Sequence, residues 1–176
     1  VHQMADLINS LLLLAKLNQD EIGKKLETLR VDDLVFDAYS QMQRNFPDFT
    51  MHFELEDNEA VDNAFEIHGF KSLLQIVIVN LLKNAYLYSE DKKATVLIQQ
   101  PDASTTLVTV TNSGKTLTAE EQHKLFQPFA RGENSANIHG SGLGLRIVKR
   151  ILDFHGAEIQ YTADGKSNQF QIVFSA

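Results

Sequence analysis

The run GSGLGL at residues 140–145 carries three glycines at the point where a polar stretch gives way to a helical pattern. Glycine lets a backbone approach a ligand closely, and the N–H groups and positive dipole of a helix N-terminus favour phosphate. A dinucleotide-binding fingerprint needs a strand directly before the glycines, and a Walker P-loop needs a following Gly-Lys-Ser or Gly-Lys-Thr. The sequence has neither feature. The run therefore indicates another kind of phosphate site or, alternatively, a glycine-rich helix start without a ligand.

Two asparagines lie one helical turn apart in the run NLLKNA, inside an otherwise apolar helical pattern. Asn80 and Asn84 therefore share one face of the helix, and both amides are directed to one place. Asparagine is a poor residue for a helix interior, and a buried amide costs free energy unless it is hydrogen-bonded. Two amide oxygens aimed together can hold a hydrated Mg²⁺ that also contacts substrate phosphates. Capping or hydrogen bonding within the helix is the alternative.

A third polar turn, with the sequence NSGKTL, follows a β-rich run. The amide of Asn112 offers both a donor and an acceptor, and Gly114 allows a sharp change of backbone direction. This combination is suited to recognition of the edge of a base. Taken alone, however, the pattern is better explained as a strand that ends in a turn.

The first segment of the chain has the pattern of an amphipathic helix. Apolar residues recur at Met4, Leu7, Leu11 and Leu14, a spacing typical of a helix that packs against another helix. An ordinary first helix of the domain is the alternative. Residues 18–28 are polar and charged with one glycine, so they are interpreted as a linker or as the end of that helix.

Helical periodicity returns at four further places in the chain. Asp32 is the predicted N-cap of the first of these helices, which should end before Pro47. The helix that begins after Gly69 is apolar on most sides and is the predicted central helix. The other two begin near Thr118 and Gly142.

Alternating apolar and polar residues predict strands at 51–55 and 64–67, and β-rich runs on either side of two turns predict two hairpins. Residues 128–141 have the composition of a long loop, and such loops often carry function. Helices and hairpins in this order predict an α/β fold, a two-layer α/β sandwich with one sheet covered by helices on one face.

The chain has 176 residues and a formal charge of -7, from 16 basic and 23 acidic side chains. That length fits one domain, and the negative charge argues against nucleic acid or an anionic membrane surface as a partner. The absence of cysteine excludes disulfides, thiolate metal sites and a cysteine nucleophile. Apolar runs are far shorter than the roughly 18 residues of a membrane-spanning helix, so no membrane insertion of this segment is predicted.

In order and spacing, the three motifs resemble the N, G1 and G2 boxes of the ATP-binding domain of sensor histidine kinases, and KLFQPFARG stands in place of the F box. The stretch GSGLGLRIVKRILDFHGAEI is highly specific for that family. The resemblance implies a Bergerat-type ATP-binding fold with a mixed sheet at residues 28–176. The amphipathic first segment looks like the second helix of the family's dimerisation and phosphotransfer hairpin, so residues 1–27 would be a partial dimerisation helix plus linker.

The resemblance also implies a role for each matching residue. Asn84 would bind Mg²⁺ with the help of Asn80, and Arg131 would approach the phosphates of ATP as the second catalytic group. Phe126 and Phe129 would anchor a lid, and the glycines of GSGLGL would shape its hinge. The implied nucleotide-binding residues are Asn80, Asn84, Tyr88, Asn112, Gly114, Thr116, Leu117, Phe129, Arg131, Gly140, Ser141, Gly142, Leu143 and Gly144.

The implied activity is that of a protein-histidine kinase, which transfers the γ-phosphate of ATP to a histidine on a dimerisation domain for relay to the receiver domain of a response regulator. The full-length protein would be a homodimer and this segment the cytoplasmic part of a membrane-anchored sensor. In this family the acceptor histidine is followed by an acidic residue, and none of the six histidines here is. The chain as given is therefore expected not to phosphorylate itself.

Three positions depart from the family pattern. Asn112 stands where the family has an aspartate that accepts a hydrogen bond from adenine, Thr116 replaces a second glycine, and Leu87 replaces a lysine near the phosphates. These departures support an alternative function, a catalytically weakened pseudokinase that acts as a nucleotide-responsive interaction module. A slow ATPase or protein-serine kinase of the same superfamily is a third possibility, disfavoured by the hairpin-like first helix.

Overall fold

The computed structural model describes residues 26–56, 65–127 and 143–175. The predicted first helix and the long loop at 128–141 lie outside the described residues. The described strands are β1 (Glu27–Arg30), β2 (Thr50–Glu56), β3 (Glu66–Gly69), β4 (Lys93–Asp102), β5 (Thr105–Ser113), β6 (Glu158–Ala163) and β7 (Ser167–Ser175), and the described helices are α1 (Val31–Asn45), α2 (Lys71–Tyr88), α3 (Ala119–Lys124) and α4 (Gly144–Phe154).

Five strands form one mixed sheet in the order β2-β4-β5-β7-β6. β2 and β4 are parallel, and the other neighbouring pairs are antiparallel. Both predicted hairpins are confirmed, β4 with β5 and β6 with β7. The parallel pair arises because the chain leaves β2 and crosses through β3 and α2 before it returns as β4, a connection that parallel strands require.

One face of the sheet carries the core. Side chains at alternate positions of β4, β5 and β7 are buried, and α2 packs against β4 and β5 while α4 packs against α2 and β6. The central-helix prediction is confirmed, because α2 packs against α1, α4, β4 and β5 and none of its residues from Leu73 to Tyr88 is exposed. The two-layer α/β prediction is confirmed as well. The buried residues of α2 are Leu73, Leu74, Val77, Ile78, Leu81, Leu82 and Ala85.

The prediction that Asp32 caps α1 is wrong. Arg30 occupies the N-cap position, because β1 runs directly into the helix and the Val31 amide donates to the Phe65 carbonyl at 3.0 Å. Asp32 lies in the first turn, where its carboxylate suits the positive end of the helix and pairs with Arg30 at 2.9 Å. The helix ends at Asn45, before Pro47, as predicted.

A small two-stranded sheet of β1 and β3 was not predicted. Glu27 pairs with Gly69 and Thr28 with His68, so the end of the polar run assigned to a linker is part of this sheet. Behind β3, His155 ties two helices together, since its Nε2 accepts from the Phe70 amide at 3.1 Å and its Nδ1 contacts the Ile151 carbonyl at 2.7 Å. The end of α4 is thereby fixed to the start of α2.

Candidate nucleotide-binding site

The side chain of Asn80 connects α2 to the start of α4. Its Nδ2 donates to the Ile76 carbonyl one turn back at 2.8 Å. The amide nitrogen therefore forms the hydrogen bond within the helix that the sequence analysis gave as the alternative. Its Oδ1 faces α4, where a Cβ built on Gly144 would stand only 2.9 Å from this oxygen. The glycine therefore permits an approach that a side chain would obstruct. Asn84, one turn further along α2, is half-buried like Asn80.

Gly114 lies against the other end of α2. Its φ of 135° and the 2.4 Å that would separate an added Cβ from the Tyr88 carbonyl oxygen both require glycine at this position. Its amide donates to the Lys166 carbonyl at 2.9 Å. The turn after β5 is thus held between the C-terminus of α2 and the turn that joins β6 to β7.

Asn112 is buried at the end of the core-facing row of β5, with 5% of its surface exposed. Its Nδ2 donates to the Ser113 carbonyl at 2.8 Å, and in this orientation Oδ1 is the acceptor of the side chain. Directly across the sheet from Asn112 lies Asn168 of β7, which is equally buried. Two amides therefore stand side by side at the edge of the sheet, next to Gly114.

The segment 115–118, which has no regular secondary structure, is held by two side chains from β6 and β7. The Leu117 amide donates to the hydroxyl oxygen of Tyr161 at 3.0 Å, and that hydroxyl donates to Oδ1 of Asn168 at 2.6 Å. Nδ2 of Asn168 in turn donates to the Lys115 carbonyl at 3.2 Å. Burial raises the pKa of Tyr161, while the bond from Leu117 lowers it by less, so the hydroxyl keeps the proton that it donates.

Tyr161 and Asn168 were missed by the sequence analysis, although the pattern held a signal for one of them. Asn168 occupies the face of β7 that otherwise carries large apolar side chains, Phe170, Ile172 and Phe174. A polar residue in an otherwise apolar row indicates a buried hydrogen bond. Nothing in the spacing of Tyr161 distinguishes it from a residue of an ordinary strand.

The predicted site is described in part. Thr116 and Leu117 lie half-buried after Gly114, and Tyr88 is half-buried at the end of α2. Leu143 is buried directly before α4, and Phe126 packs against the core from the end of α3. The predicted residues Phe129, Arg131, Gly140, Ser141 and Gly142 lie outside the described part of the chain.

Helix α2, which carries the motif NLLKNA, thus contacts both glycine-containing motifs. Asn80 contacts the start of α4 and Tyr88 contacts Gly114, and at 1.5 Å per residue these two contacts are about 12 Å apart along the helix. One end presents an amide oxygen and a helix N-terminus, and the other presents buried amides beside a fixed turn. Such groups are of the kind that bind an anion at one end and the polar edge of a base at the other.

Residues 69–176 match the family model of the histidine kinase-, DNA gyrase B- and HSP90-like ATPases. The chain belongs to this family. The match covers α2, the glycine-rich segments and the last two hairpins, which contain every residue of the candidate site. Within the family, its relatives are sensor histidine kinases, as the sequence motifs indicated.

Two curated relatives illustrate the similarity. The sensor histidine kinase HprS of Escherichia coli is 29% identical over 174 residues, which are 98% of this chain and 37% of that protein. The sensor-like histidine kinase SenX3 of Mycolicibacterium smegmatis is 26% identical over 180 residues, 97% of this chain and 44% of that protein. The chain therefore spans less than half the length of these relatives.

Solved structures share the fold. The mycobacterial sensor histidine kinase MprB superimposes with a TM-score of 0.72 at 24% identity, over 85% of this chain and 97% of that one. Full-length ShkA, solved in complex with AMPPNP, gives a TM-score of 0.77 at 18% identity, over 98% of this chain and 36% of that one. Both likenesses confirm the predicted α/β fold class. Among the described helices, none has an apolar stretch long enough to cross a membrane.

Proposed function

We propose that this chain is the catalytic part of a two-component sensor histidine kinase, which binds ATP with Mg²⁺ and transfers the γ-phosphate to a histidine of a dimerisation domain. The phosphoryl group then passes to the receiver domain of a response regulator. The observation that carries this proposal is the pair of close contacts on α2, Gly144 against Asn80 and Gly114 against Tyr88. They bring the start of α4 and the turn after β5 against two different points of the same helix, and we assign the phosphates to the first and the adenine to the second.

The adenine is assigned to the end of α2 that contacts Gly114. Oδ1 of Asn112 is an acceptor for the exocyclic amino group of adenine, and Thr116 and Leu117 line the same pocket. An amide oxygen can still accept this bond, but the loss of the charge of the family's aspartate removes about 1 kcal/mol of charge-assisted hydrogen bonding.

The phosphates are assigned to the start of α4. No side chain among the described residues caps this helix, so its first N–H groups are suited to bind an anion. Arg131 and the glycines before α4 complete this end in the proposal. Because Leu87 replaces the family's lysine, neutralisation of the phosphates depends on Arg131 and on the metal.

The residues present fit a magnesium ion. The nitrogen of the Asn80 amide donates to the Ile76 carbonyl, which leaves its oxygen directed to the start of α4, and Asn84 stands one turn away on the same face. Amide oxygens are among the ligands that Mg²⁺ takes together with water and substrate phosphates. The ion, when bound by Asn84 and Asn80, supplies positive charge that offsets the charge of the transferring phosphoryl group.

Asn80 also favours transfer over hydrolysis. Related gyrase-type and chaperone-type ATPases place a glutamate at this position as the general base, and an amide cannot take a proton from water. Its nitrogen is moreover committed to the helix backbone. Hydrolysis by this chain is therefore slow, and the γ-phosphate leaves for a separate acceptor.

We also propose residues 1–27 as the second helix of the dimerisation hairpin plus linker and residues 28–176 as the catalytic domain, in a homodimeric, membrane-anchored sensor. The chain alone is expected to show no acid-labile phosphohistidine after incubation with γ-labelled ATP and Mg²⁺, because none of its six histidines precedes an acidic residue. Addition of a complete hairpin domain should supply the acceptor. Stable labelling of the chain alone would contradict the assignment of residues 1–27.

The test of the proposed function is a calorimetric titration of the chain with ATP and with GTP, each with and without Mg²⁺. Magnesium-dependent binding of ATP supports the kinase function. Absence of binding at millimolar nucleotide favours the alternative, an interaction module that has lost catalysis, for which the substitutions at Leu87, Asn112 and Thr116 are the supporting observation. Labelling of a serine on a partner protein would favour the third possibility, a protein-serine kinase.

Substitution of Asn112 by aspartate is expected to raise the preference for ATP over GTP. A carboxylate accepts from the adenine amino group and repels the guanine O6, whereas an asparagine that rotates its amide can donate to O6. One charge-assisted bond in place of a neutral one, about 1 kcal/mol, changes the ratio of dissociation constants by about fivefold. The measurement is the ratio of the two dissociation constants in wild type and in Asn112→Asp. An equal or greater ATP preference in the wild type would refute this prediction.

A further inference from the structure

The segment 114–118 carries three of the proposed adenine-pocket residues but has no helix or strand of its own. Its backbone is fixed at both ends by main-chain or capping bonds. Gly114 donates to the Lys166 carbonyl, and Thr118 forms a capping box with Glu121 at the start of α3. Between these two anchors, the shape of the pocket depends on what holds the middle of the segment.

Tyr161 provides that hold. Its hydroxyl oxygen accepts from the Leu117 amide at 3.0 Å, so the hydroxyl proton is left for Oδ1 of Asn168 at 2.6 Å. With Oδ1 used in this way, Nδ2 of Asn168 is directed to the Lys115 carbonyl at 3.2 Å. Only one arrangement of these three hydrogen bonds gives every donor an acceptor. It fixes the Leu117 amide and the Lys115 carbonyl relative to the sheet.

Asn168, which receives one of these hydrogen bonds and donates another, is the buried member of the series. Asn168 is 5% exposed and lies directly opposite Asn112, so it shares the face on which the adenine is expected. The ring of Tyr161 packs on Phe170 with ring centroids 5.2 Å apart, which holds the phenol independently of its hydroxyl. Hydrogen bonds in such a setting are stronger than in water, and an unpaired member is costly.

We infer that Tyr161 is a positioning residue for nucleotide binding: oriented by Asn168, its hydroxyl holds the Leu117 amide and so keeps the segment 115–118 in the shape that receives adenine. This inference rests on the proposed function, since it concerns the same site. Tyr161 touches the nucleotide only through the segment, and its contribution is therefore to the adenine end of the ligand and not to the phosphate end.

The test uses Tyr161→Phe, which removes the hydroxyl and keeps the ring on Phe170. Dissociation constants of adenosine, ADP and ATP are measured by calorimetry with Mg²⁺ present, and all three are expected to rise by the same factor, about five- to tenfold for one lost, partly buried hydrogen bond. Hydrogen exchange at the Leu117 amide should accelerate, while exchange in β4 stays as in the wild type. A general loss of stability would instead accelerate both.

Two controls accompany this variant. Tyr39→Phe removes a comparable hydroxyl on α1, which accepts from Nε2 of Gln43 at 2.6 Å and contacts the Phe49 carbonyl at 3.4 Å. Neither partner belongs to the proposed site, so this variant should leave nucleotide binding unchanged. Asn168→Ala removes the acceptor that orients Tyr161. The double variant with Tyr161→Phe should lose less nucleotide affinity than the sum of the two single variants, because both residues act through one series of hydrogen bonds.

The outcomes separate the inference from the proposed function. If the wild type binds adenine nucleotides and Tyr161→Phe binds them equally well, Tyr161 has no positioning role and the inference is overturned, whatever happens to exchange at Leu117. A loss confined to ATP would also overturn it, because the phosphate end would then be affected. If the wild type binds none of the three ligands, the proposed function fails and the inference falls with it.

Discussion

Substitution of Gly114 by alanine should abolish measurable nucleotide binding and lower the free energy of unfolding by roughly 2–6 kcal/mol, the sum of a strained backbone and an overpacked contact. The φ of 135° is a conformation that residues with a side chain rarely adopt, and the new methyl group would stand 2.4 Å from the Tyr88 carbonyl oxygen. Because that oxygen belongs to the backbone at the end of α2, a rotamer change cannot relieve the clash. The turn must move away from the helix, and the pocket with it.

The matched control is Gly156→Ala. Gly156 also has a positive φ, 68°, but an added Cβ would meet nothing within 4 Å, so this variant isolates the conformational cost of about 1–2 kcal/mol and should retain nucleotide binding. Urea unfolding and calorimetric titration of both variants give the comparison. If Gly114→Ala were no less stable than Gly156→Ala and still bound ATP, the contact between the turn and α2 would be unimportant.

Local patterns predicted the parts of the fold that depend on local physics. The apolar run of α2 and the alternation in β4, β5 and β7 report burial directly, and Pro, Asp and Gly residues at or beside the two hairpin turns favour reversal of the chain. The helix start predicted near Thr118 is confirmed, and in the structure Thr118 forms a capping box there with Glu121. These features require no knowledge of distant residues.

Features that depend on distant residues were not predicted. The small sheet joins Glu27 to Gly69 across a whole helix and strand, and its strands of four residues are too short to show a period. The same holds for the start of α1, where Asp32 has the chemistry of a cap but the carbonyl of Phe65 already receives the first amide. Tertiary context replaced a local preference at both places.

The candidate site shows the same division. Glycines and asparagines were singled out because their types are unusual where they stand, but the sequence does not reveal which glycine meets which neighbour. In the structure, Gly114 lies against Tyr88 and Gly144 against Asn80, so both glycines contact the same helix, α2. The hold of Tyr161 on Leu117 spans 44 positions and leaves no mark on local pattern.

Substitution of Asn84 by alanine is expected to remove the effect of Mg²⁺ on ATP binding and to lower phosphoryl transfer to a supplied hairpin domain by about 100-fold or more, since loss of even an outer partner of a metal ligand costs 10- to 100-fold. The proposal makes the amide oxygen of Asn84 a direct ligand, and alanine offers no oxygen. Affinity for adenosine, which carries no phosphate, should stay as in the wild type.

The stability of the Asn84→Ala variant shows whether Asn84 acts as a metal ligand or as a structural residue. Asn84 is half-buried, and alanine is the better helix former by up to about 0.7 kcal/mol, so the variant should be at least as stable as the wild type in urea. Lys83→Ala, at the neighbouring half-buried position of the same helix, is the matched control, because a step of one residue turns the side chain about 100° away from the face of Asn84. It should keep the magnesium dependence.

Asn80→Ala tests which of the two asparagines contributes more to magnesium binding. Its amide already donates to the Ile76 carbonyl and faces Gly144, so its removal should weaken the magnesium effect less than removal of Asn84 while opening space at the start of α4. If Asn84→Ala kept full magnesium dependence and Asn80→Ala lost it, the ion would be held one turn nearer to α4 than proposed. Retention of the dependence in both variants would exclude this face of α2 as the metal site.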